Sequence, residues 1–217
     1  MMFRSFGINE FLLLADGLRW TLALTALAFL GGGILGLGLL VLRIAPLRVA
    51  RVLAVVWIQA VQGTPLLGTL FLIFFGLPLI GFDVSRWIAA TVALSVYASA
   101  FLAEIWRGAV AAIPQGQWEA AAALGLPRRA QLRLVVLPQA LTIAIPPTIG
   151  FLVQLVKNTS LASIIGLVEL SRRAQLVNGA TFAPFIVYGA TAVLYFCLCF
   201  PLTRWSRHLE HARAGKR

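Results

Sequence analysis

The side chains in this sequence that could do chemistry lie mostly inside long apolar runs, where polar groups are rare. A polar group inside a membrane must face protein or water rather than lipid, and an ionisable one is a functional candidate by default. Such groups are suited to contact with a polar solute. The candidate residues of a solute path are Gln62, Gly63, Thr64, Glu104, Lys157, Asn158, Thr159 and Ser160.

Glu104 and the polar run 157–160 each have a structural alternative. Arg107 follows Glu104 at i+3 on the same helix face, so a structural ion pair explains both residues. The carboxylate of Glu104 could instead meet the amino group of a solute or take part in gating. The polar run 157–160 either lines a solute path or breaks a helix at the outer face of the membrane.

The sequence contains no catalytic constellation and no His, Cys, Asp or Glu cluster with the spacing of metal ligands. A phosphate-binding loop requires Gly-x4-Gly-Lys-Ser/Thr, and neither Lys157 nor Lys216 lies in that pattern. We therefore expect no catalytic residue, no metal and no cofactor bound by this chain. If ATP is used, a separate subunit must hydrolyse it.

Residues Gln115 to Pro138, QGQWEAAAALGLPRRAQLRLVVLP, form the only long segment that is neither apolar nor a tail. Strong helix formers run from Trp118 to Leu124, and Gly125 can adopt the left-handed conformation that ends a helix. A helical pattern then resumes until Pro138. The segment predicts two short helices on the membrane surface, with a small alanine face suited to a groove on another protein.

The spacing of Glu119-Ala120-Ala121, Gly125 and Leu137-Pro138 resembles the EAA loop of ABC importer permeases. Further segments resemble the permeases that take up polar amino acids of the histidine, glutamine, glutamate and arginine type. These segments are GTPLL at 63–67, FFGLP at 74–78, AEIWRGA at 103–109 and KNTSLASIIGLVEL at 157–170. The resemblance covers roughly residues 18–205. One departure is Gln62, where these permeases usually carry arginine.

The resemblance implies that the loop docks into a cleft on a cytoplasmic ATPase and transmits its closure to the membrane helices. The implied coupling residues are Glu119, Ala120, Ala121, Gly125, Leu137 and Pro138. The implied partners are two ABC ATPase subunits, a second copy or a related permease, and an extracytoplasmic solute-binding protein that delivers a polar amino acid. ATP would be used by the partner subunits, and transport would proceed by alternating access.

Composition independently indicates a membrane protein, because 60% of residues are hydrophobic and 12% are charged, against about 25% charged in soluble domains. A crossing needs about 20 apolar residues, and charge-free intervals cover 20–42, 52–82, 87–103, 134–156 and 174–203. We predict one all-α permease domain over residues 1–217, with a coupling loop at 114–138. The predicted spans are approximately 19–43, 52–80, 86–111, 135–157 and 182–204, the second being either shorter or broken.

Gly32 and Gly36 form a small-xxx-small pair that favours close helix packing, within the chain or with a second permease.

Orientation follows from the basic residues, which concentrate on the cytoplasmic side of membrane proteins. With five spans, twelve of the 18 basic residues fall on one side. They are Arg43, Arg48, Arg51, Arg107, Arg128, Arg129, Arg133, Arg204, Arg207, Arg213, Lys216 and Arg217; the opposite side holds Arg4, Arg19, Arg86, Lys157, Arg172 and Arg173. We therefore expect a multi-pass protein of the bacterial inner membrane with its N-terminus outside and its C-terminus in the cytoplasm. The net charge of +11 then reflects contacts with anionic lipid, and no nucleic acid is expected as a partner.

Two other classes of function are compatible with parts of the sequence. A self-sufficient secondary transporter or channel would use Glu104 as a proton relay and would need no ATPase. A structural membrane protein that recruits a partner through the loop would account for Glu119 but not for the polar clusters within the spans.

Overall fold

The structure is a computed structural model that describes residues 5–214, and within this range all regular secondary structure is helical. The helices are α1 (Ile8–Ile44), α2 (Arg48–Gly63), α3 (Leu66–Leu79), α4 (Arg86–Ala111), α5 (Gln115–Ala123), α6 (Arg128–Ser163), α7 (Leu170–Thr181) and α8 (Pro184–Ala214). The predicted all-α membrane fold is confirmed.

Four helices, α1, α4, α6 and α8, are long and apolar enough to cross a membrane. The pair α2 and α3 also qualifies, but it is bent by 100° at the break between Gly63 and Leu66. Thr64 there is extended, with φ −104° and ψ 132°, because the ring of Pro65 disfavours helical backbone in the preceding residue. The described residues therefore supply four candidate spans, or five if the bent pair counts as one broken span.

Helix α1 begins eleven residues before the predicted boundary at residue 19 and includes three charged side chains in its first part. Asp16 accepts a hydrogen bond from Arg173 of α7 (Oδ2 to Nη2, 2.9 Å) and pairs with Arg19 at 2.9 Å. The pair with Arg173 thus ties the first part of α1 to α7.

The centre of the fold is the packing of α1 against α4. The buried face of α4 carries small residues, among them Ala93, Ala98 and Ser99, and α1 meets this face with Gly32 and Gly36. A Cβ atom on Gly32 would overlap Ala98, and one on Gly36 would lie 3.0 Å from the carbonyl oxygen of Ser99. The small-xxx-small pair therefore packs within the chain.

The structure corrects the predicted helix end at Pro138. Helix α6 runs without interruption from Arg128 into the membrane span, with a π-helical turn at Gln131–Val136. Such a turn accommodates the missing N–H group of a proline. Gln139 supports the turn by donating from Nε2 to the carbonyl of Val135 at 2.9 Å. The second half of the loop is thus an extension of a spanning helix rather than a separate surface helix.

Candidate functional site

The surface segment 114–138 is built around a tight turn between α5 and α6. Gly125 has φ 73°, which residues with a side chain rarely adopt. The Gly125 amide donates to Ala122 (2.9 Å) and the Leu126 amide donates to Ala121 (3.2 Å), the two bonds of a Schellman helix end. This turn reverses the chain between the two helices.

Helix α5 is fixed to the ends of α4 and α6. A buried cluster joins Ile113, Val136 and Ala140, and Trp118 of α5 packs against it. Two side-chain hydrogen bonds reinforce the contact: Gln139 donates to Gln117 at 3.2 Å, and Gln131 donates to the carbonyl of Leu126 at 2.7 Å. Helix α5 therefore packs directly on the end of α4 and on α6.

The opposite face of the segment is open. Glu119 and Ala120 are exposed while Ala121 is buried, and Leu124 is 80% exposed. Leu137 and Pro138 are exposed on the adjoining part of α6. The face thus combines one carboxylate, a small apolar strip and projecting leucine side chains, a composition that suits insertion into a protein groove.

Glu104 is held between two guanidinium groups. Its Oε1 accepts from Arg43 of α1 at 3.0 Å, and its Oε2 accepts from Arg107 at 2.8 Å. The Arg107 pair was readable from the i+3 spacing, whereas Arg43 was missed because it lies on a different helix. Since both carboxylate oxygens are engaged, the geometry favours the ion-pair interpretation over a proton relay.

The remaining candidate residues lie at two places. Gln62, Gly63 and Thr64 are exposed at the end of α2, beside the 100° bend, and the Thr64 hydroxyl donates to the carbonyl of Ala60 at 2.7 Å. Asn158 borders a small void that Leu66 and Leu70 of α3 also line.

At the polar run 157–160, α6 changes from α-helix to 3₁₀-helix. Thr159 is buried and donates to the carbonyl of Val156, and Ser160 donates to that of Lys157, each at 2.7 Å. The two hydroxyl groups are therefore satisfied locally. Lys157 is exposed and borders a cavity of about 730 Å³ between α6 and α8. The run thus modifies the helix and also contributes a cation to a cavity.

Glu169 is the polar residue that the sequence interpretation missed. It is 0% exposed and caps α7, accepting from the amides of Arg172 and Ser171, both at 2.9 Å. Its Oε2 also accepts from the hydroxyls of Tyr195 on α8 (3.1 Å) and Thr21 on α1 (3.4 Å). Burial raises the pKa of Glu169, while these hydrogen bonds oppose the rise.

A weak signal for this role was present in the sequence. Glu169 precedes LSRRAQLV, and a carboxylate is stabilising at the N-terminus of a helix. The contacts with Thr21 and Tyr195 could not be read, because these partners lie far away along the chain. In the described part of the chain, no group of three or more His, Cys, Asp or Glu residues could hold a metal ion.

Comparison with known proteins gives a consistent result. Residues 28–214 match the family described as the inner membrane component of binding-protein-dependent transport systems. The probable amino-acid ABC transporter permease protein YckA of Bacillus subtilis (strain 168) is 35% identical over 193 residues, 89% of this chain and 85% of the relative. The glutamine transport system permease protein GlnP of Escherichia coli (strain K12) is 35% identical over 200 residues, 91% of each chain.

A solved structure has the same fold over almost the whole chain. It is described as the crystal structure of an amino acid ABC transporter with histidines. The match has a TM-score of 0.88 and 31% identity, and it covers 92% of this chain and 94% of the other.

Proposed function

This chain belongs to the family of inner membrane components of binding-protein-dependent transport systems, and we propose that it is the permease subunit of an ABC importer for polar amino acids. The observation that supports the proposal is the exposed segment around Glu119, which packs against two spanning helices. Separate ATPase subunits supply the energy, and this chain hydrolyses no nucleotide.

The coupling residues in this proposal are Glu119 and Ala120 on the exposed face, Gly125 at the turn, and Leu137 and Pro138 on the adjoining part of α6. Closure of two ATPase subunits draws together the α5 helices of two permease copies, or of this chain and a related permease. Because Ile113 and Trp118 tie α5 to α4 and α6, the movement passes to both helices and opens the outer side of the path. An external binding protein delivers the solute there.

The proposed orientation places α5 in the cytoplasm and the N-terminus outside. Two sets of contacts support it, since each joins basic residues that the charge distribution assigns to one side. Arg43 and Arg107 share Glu104, whereas Arg19 and Arg173 share Asp16. Arg4, Lys216 and Arg217, which also entered the charge count, lie outside the described residues.

The proposed solute path uses the polar residues of the bent second span and of the α6 end. Gln62, Gly63 and Thr64 supply hydroxyl and backbone groups at the bend. Lys157 borders the cavity between α6 and α8, and Asn158 is packed against α3. Unwound backbone within a membrane commonly borders a solute site. Glu104 contributes to this path by fixing α1 against α4 through its ion pairs rather than by carrying protons.

The coupling role is tested with Glu119→Ala and Gly125→Val in the reconstituted permease–ATPase assembly with its binding protein. We expect each change to lower uptake per ATP hydrolysed by roughly tenfold, as the loss of about 1.4 kcal/mol of coupling would do. Gly125→Val acts by straining the turn, because a side chain in the left-handed region costs about 1–2 kcal/mol.

The measurements are solute uptake and phosphate release from the same proteoliposomes. Asp83→Ala is the matched control, because it also removes an exposed carboxylate but lies in the connection before α4. Uptake per ATP at the wild-type level in Glu119→Ala, with the assembly intact, would show that the segment does not couple the two activities.

A further inference from the structure

One face of α8 is a continuous stripe that changes from apolar to cationic along the helix. The stripe recurs every three or four residues and lines the cavity of about 730 Å³ between α6 and α8, here called the α6–α8 groove. Its members include Ala192, Phe196, Phe200, Thr203, Arg204 and Arg207. From Ala192 to Arg207 the stripe extends about 22 Å, at about 1.5 Å per residue. A surface with this order of groups is complementary to an amphiphile that has an apolar tail and an anionic head.

The two arginines of the stripe lie level with one end of the hydrocarbon core. Ser206, between them, donates to the carbonyl of Pro146 on α6 at 2.8 Å. Two residues further along α6, Thr148 accepts from Nε1 of Trp106 on α4 at 3.1 Å. Helix α4 begins at Arg86, and the helix between Arg86 and Trp106 is about 30 Å long, the thickness of the core. The cationic end of the groove is therefore at headgroup depth, where tryptophan is also enriched.

Neither arginine of the stripe has a counter-ion in the described part of the chain. Glu104, at the same end of the spans, holds two other arginines in ion pairs. Arg204 and Arg207, in contrast, are exposed and form no ion pair or side-chain hydrogen bond with any described residue. The carboxylate of Glu210 borders only an adjoining cavity of about 440 Å³, one turn beyond Arg207. The groove thus presents two unpaired guanidinium groups to the headgroup region.

The apolar half of the stripe offers a wall for an acyl chain. The rings of Phe196 and Phe200 stack with 5.0 Å between their centroids and 23° between their planes. Both rings are exposed, whereas Cys199 between them is buried against Val153 and Val156 of α6. The groove is therefore closed at its floor and open at its rim. Its length equals one leaflet, because half of a bilayer of about 40–45 Å is about 20–22 Å.

We propose that the α6–α8 groove binds one anionic glycerophospholipid, with its phosphate on Arg204 and Arg207 and an acyl chain along Phe196 and Phe200. Guanidinium groups bind phosphate oxygens through paired, charge-assisted hydrogen bonds. A zwitterionic lipid carries its own cation beside the phosphate, so repulsion from the two arginines weakens its binding. The site lies in the leaflet at the α5 end of the spans, which is the cytoplasmic leaflet in the proposed orientation.

A lipid in this groove bridges α6 and α8 and excludes a solute from the space between them. Lys157 borders the groove from α6 at a deeper level, and lysine side chains in such positions extend their ammonium groups towards the headgroups. The proposed solute path then uses Gln62, Gly63, Thr64 and Asn158 without Lys157. Lipid binding requires neither ATP nor solute, so it is measured independently of the proposed transport.

The test is lipid binding by the purified, delipidated permease–ATPase complex in detergent. Native mass spectrometry follows titrations with phosphatidylglycerol and with phosphatidylcholine of the same chain length. The wild type is expected to bind phosphatidylglycerol at least about tenfold more tightly than phosphatidylcholine. The double variant Arg204→Gln/Arg207→Gln is expected to lose this preference, whereas Arg204→Lys/Arg207→Lys keeps most of it, because the charges remain.

Two matched controls separate the groove from general effects of charge and bulk. Arg48→Gln/Arg51→Gln removes two exposed arginines from α2, outside the groove, and should keep the preference. Ala192→Trp occupies the acyl end of the groove and should weaken the binding of phosphatidylglycerol several-fold. Val193→Trp adds the same bulk at an exposed position outside the lining and should not.

Size-exclusion chromatography establishes that each variant assembles with the ATPase. The proposal is overturned if the wild type binds the two lipids equally, or if Arg204→Gln/Arg207→Gln keeps the preference. An equal loss in Arg48→Gln/Arg51→Gln also overturns it, since the effect would then be general charge. Binding of neither lipid would show that another surface, such as a second copy of this chain, covers the groove. Absence of ATP-driven uptake by the full assembly would refute the permease function and leave the lipid site standing.

Discussion

At the scale of single residues, Glu104 and Glu169 show two ways of keeping a carboxylate in an apolar protein. Glu104 is compensated by charge, through the guanidinium groups of Arg43 and Arg107. Among the described residues, no cation is hydrogen-bonded to Glu169, which is held by two backbone amides and two hydroxyls. For Glu169 the effect of burial outweighs that of these hydrogen bonds, so the pKa of its carboxyl is raised.

This difference predicts a pH dependence of stability that depends on Glu169. Burial raises the pKa of Glu169 above its ordinary value of 4.5, so the folded state holds the proton more tightly than the unfolded state. The stabilisation from this group is complete below pH 4.5 and is lost as the pH rises through the raised pKa. Glu169→Gln cannot titrate, and its unfolding free energy should decline less over that range.

Denaturant unfolding in detergent at a series of pH values measures the effect. Glu119→Gln, which changes an exposed carboxylate, should retain the wild-type profile. Glu169→Ala should be destabilised at every pH by about 1 kcal/mol, since the α7 cap is lost. Superimposable profiles for the wild type and Glu169→Gln would mean that the carboxyl does not titrate within this range.

At the scale of helices, the close contact between α1 and α4 depends on glycine residues of α1, which have no Cβ atom. Gly32 has no room for a Cβ atom, whereas Gly38 on the same helix has nothing within 4 Å of that position. Gly32→Ala should destabilise the fold by about 1–3 kcal/mol through overpacking. Gly38→Ala should be neutral or stabilising by up to about 1 kcal/mol, because alanine favours the helix. The pair is compared by unfolding in detergent, and equal effects would contradict close packing at Gly32.

Local signals in the sequence predicted the helices better than they predicted the helix boundaries and the contacts between helices. The apolar intervals indicated the spanning helices, and Gly125 indicated the helix end at which it has φ 73°. The helix end predicted at Pro138 was wrong, because the π turn and the Gln139 side chain accommodate this proline within α6. Arg43 as the partner of Glu104, and Thr21 and Tyr195 as partners of Glu169, required tertiary contacts between distant helices. The sequence predicted the small alanine face of α5, but it did not predict the cavity between α6 and α8.

At the scale of the whole molecule, the proposed orientation places the segment around Glu119 on the side richer in basic residues. The segment follows Arg107 and contains Arg128, Arg129 and Arg133, and it packs against α4 and α6. An ATPase in the cytoplasm can act on these helices only if the segment lies on the cytoplasmic side. The orientation therefore decides whether the proposed energy input is possible.

Cysteine labelling tests the orientation directly, after the native thiols are removed by Cys197→Ala and Cys199→Ala. Gln115→Cys introduces an exposed thiol at the start of α5, and Asp83→Cys introduces one in the connection before α4. A membrane-impermeant maleimide should label Asp83→Cys in intact spheroplasts and Gln115→Cys only in inverted vesicles. Co-assembly with the ATPase should slow labelling at Gln115→Cys, because the docked subunit covers α5, while leaving Asp83→Cys unchanged. Labelling of Gln115→Cys from outside would place α5 beyond the reach of any cytoplasmic ATPase and remove the route by which ATP hydrolysis moves α4 and α6.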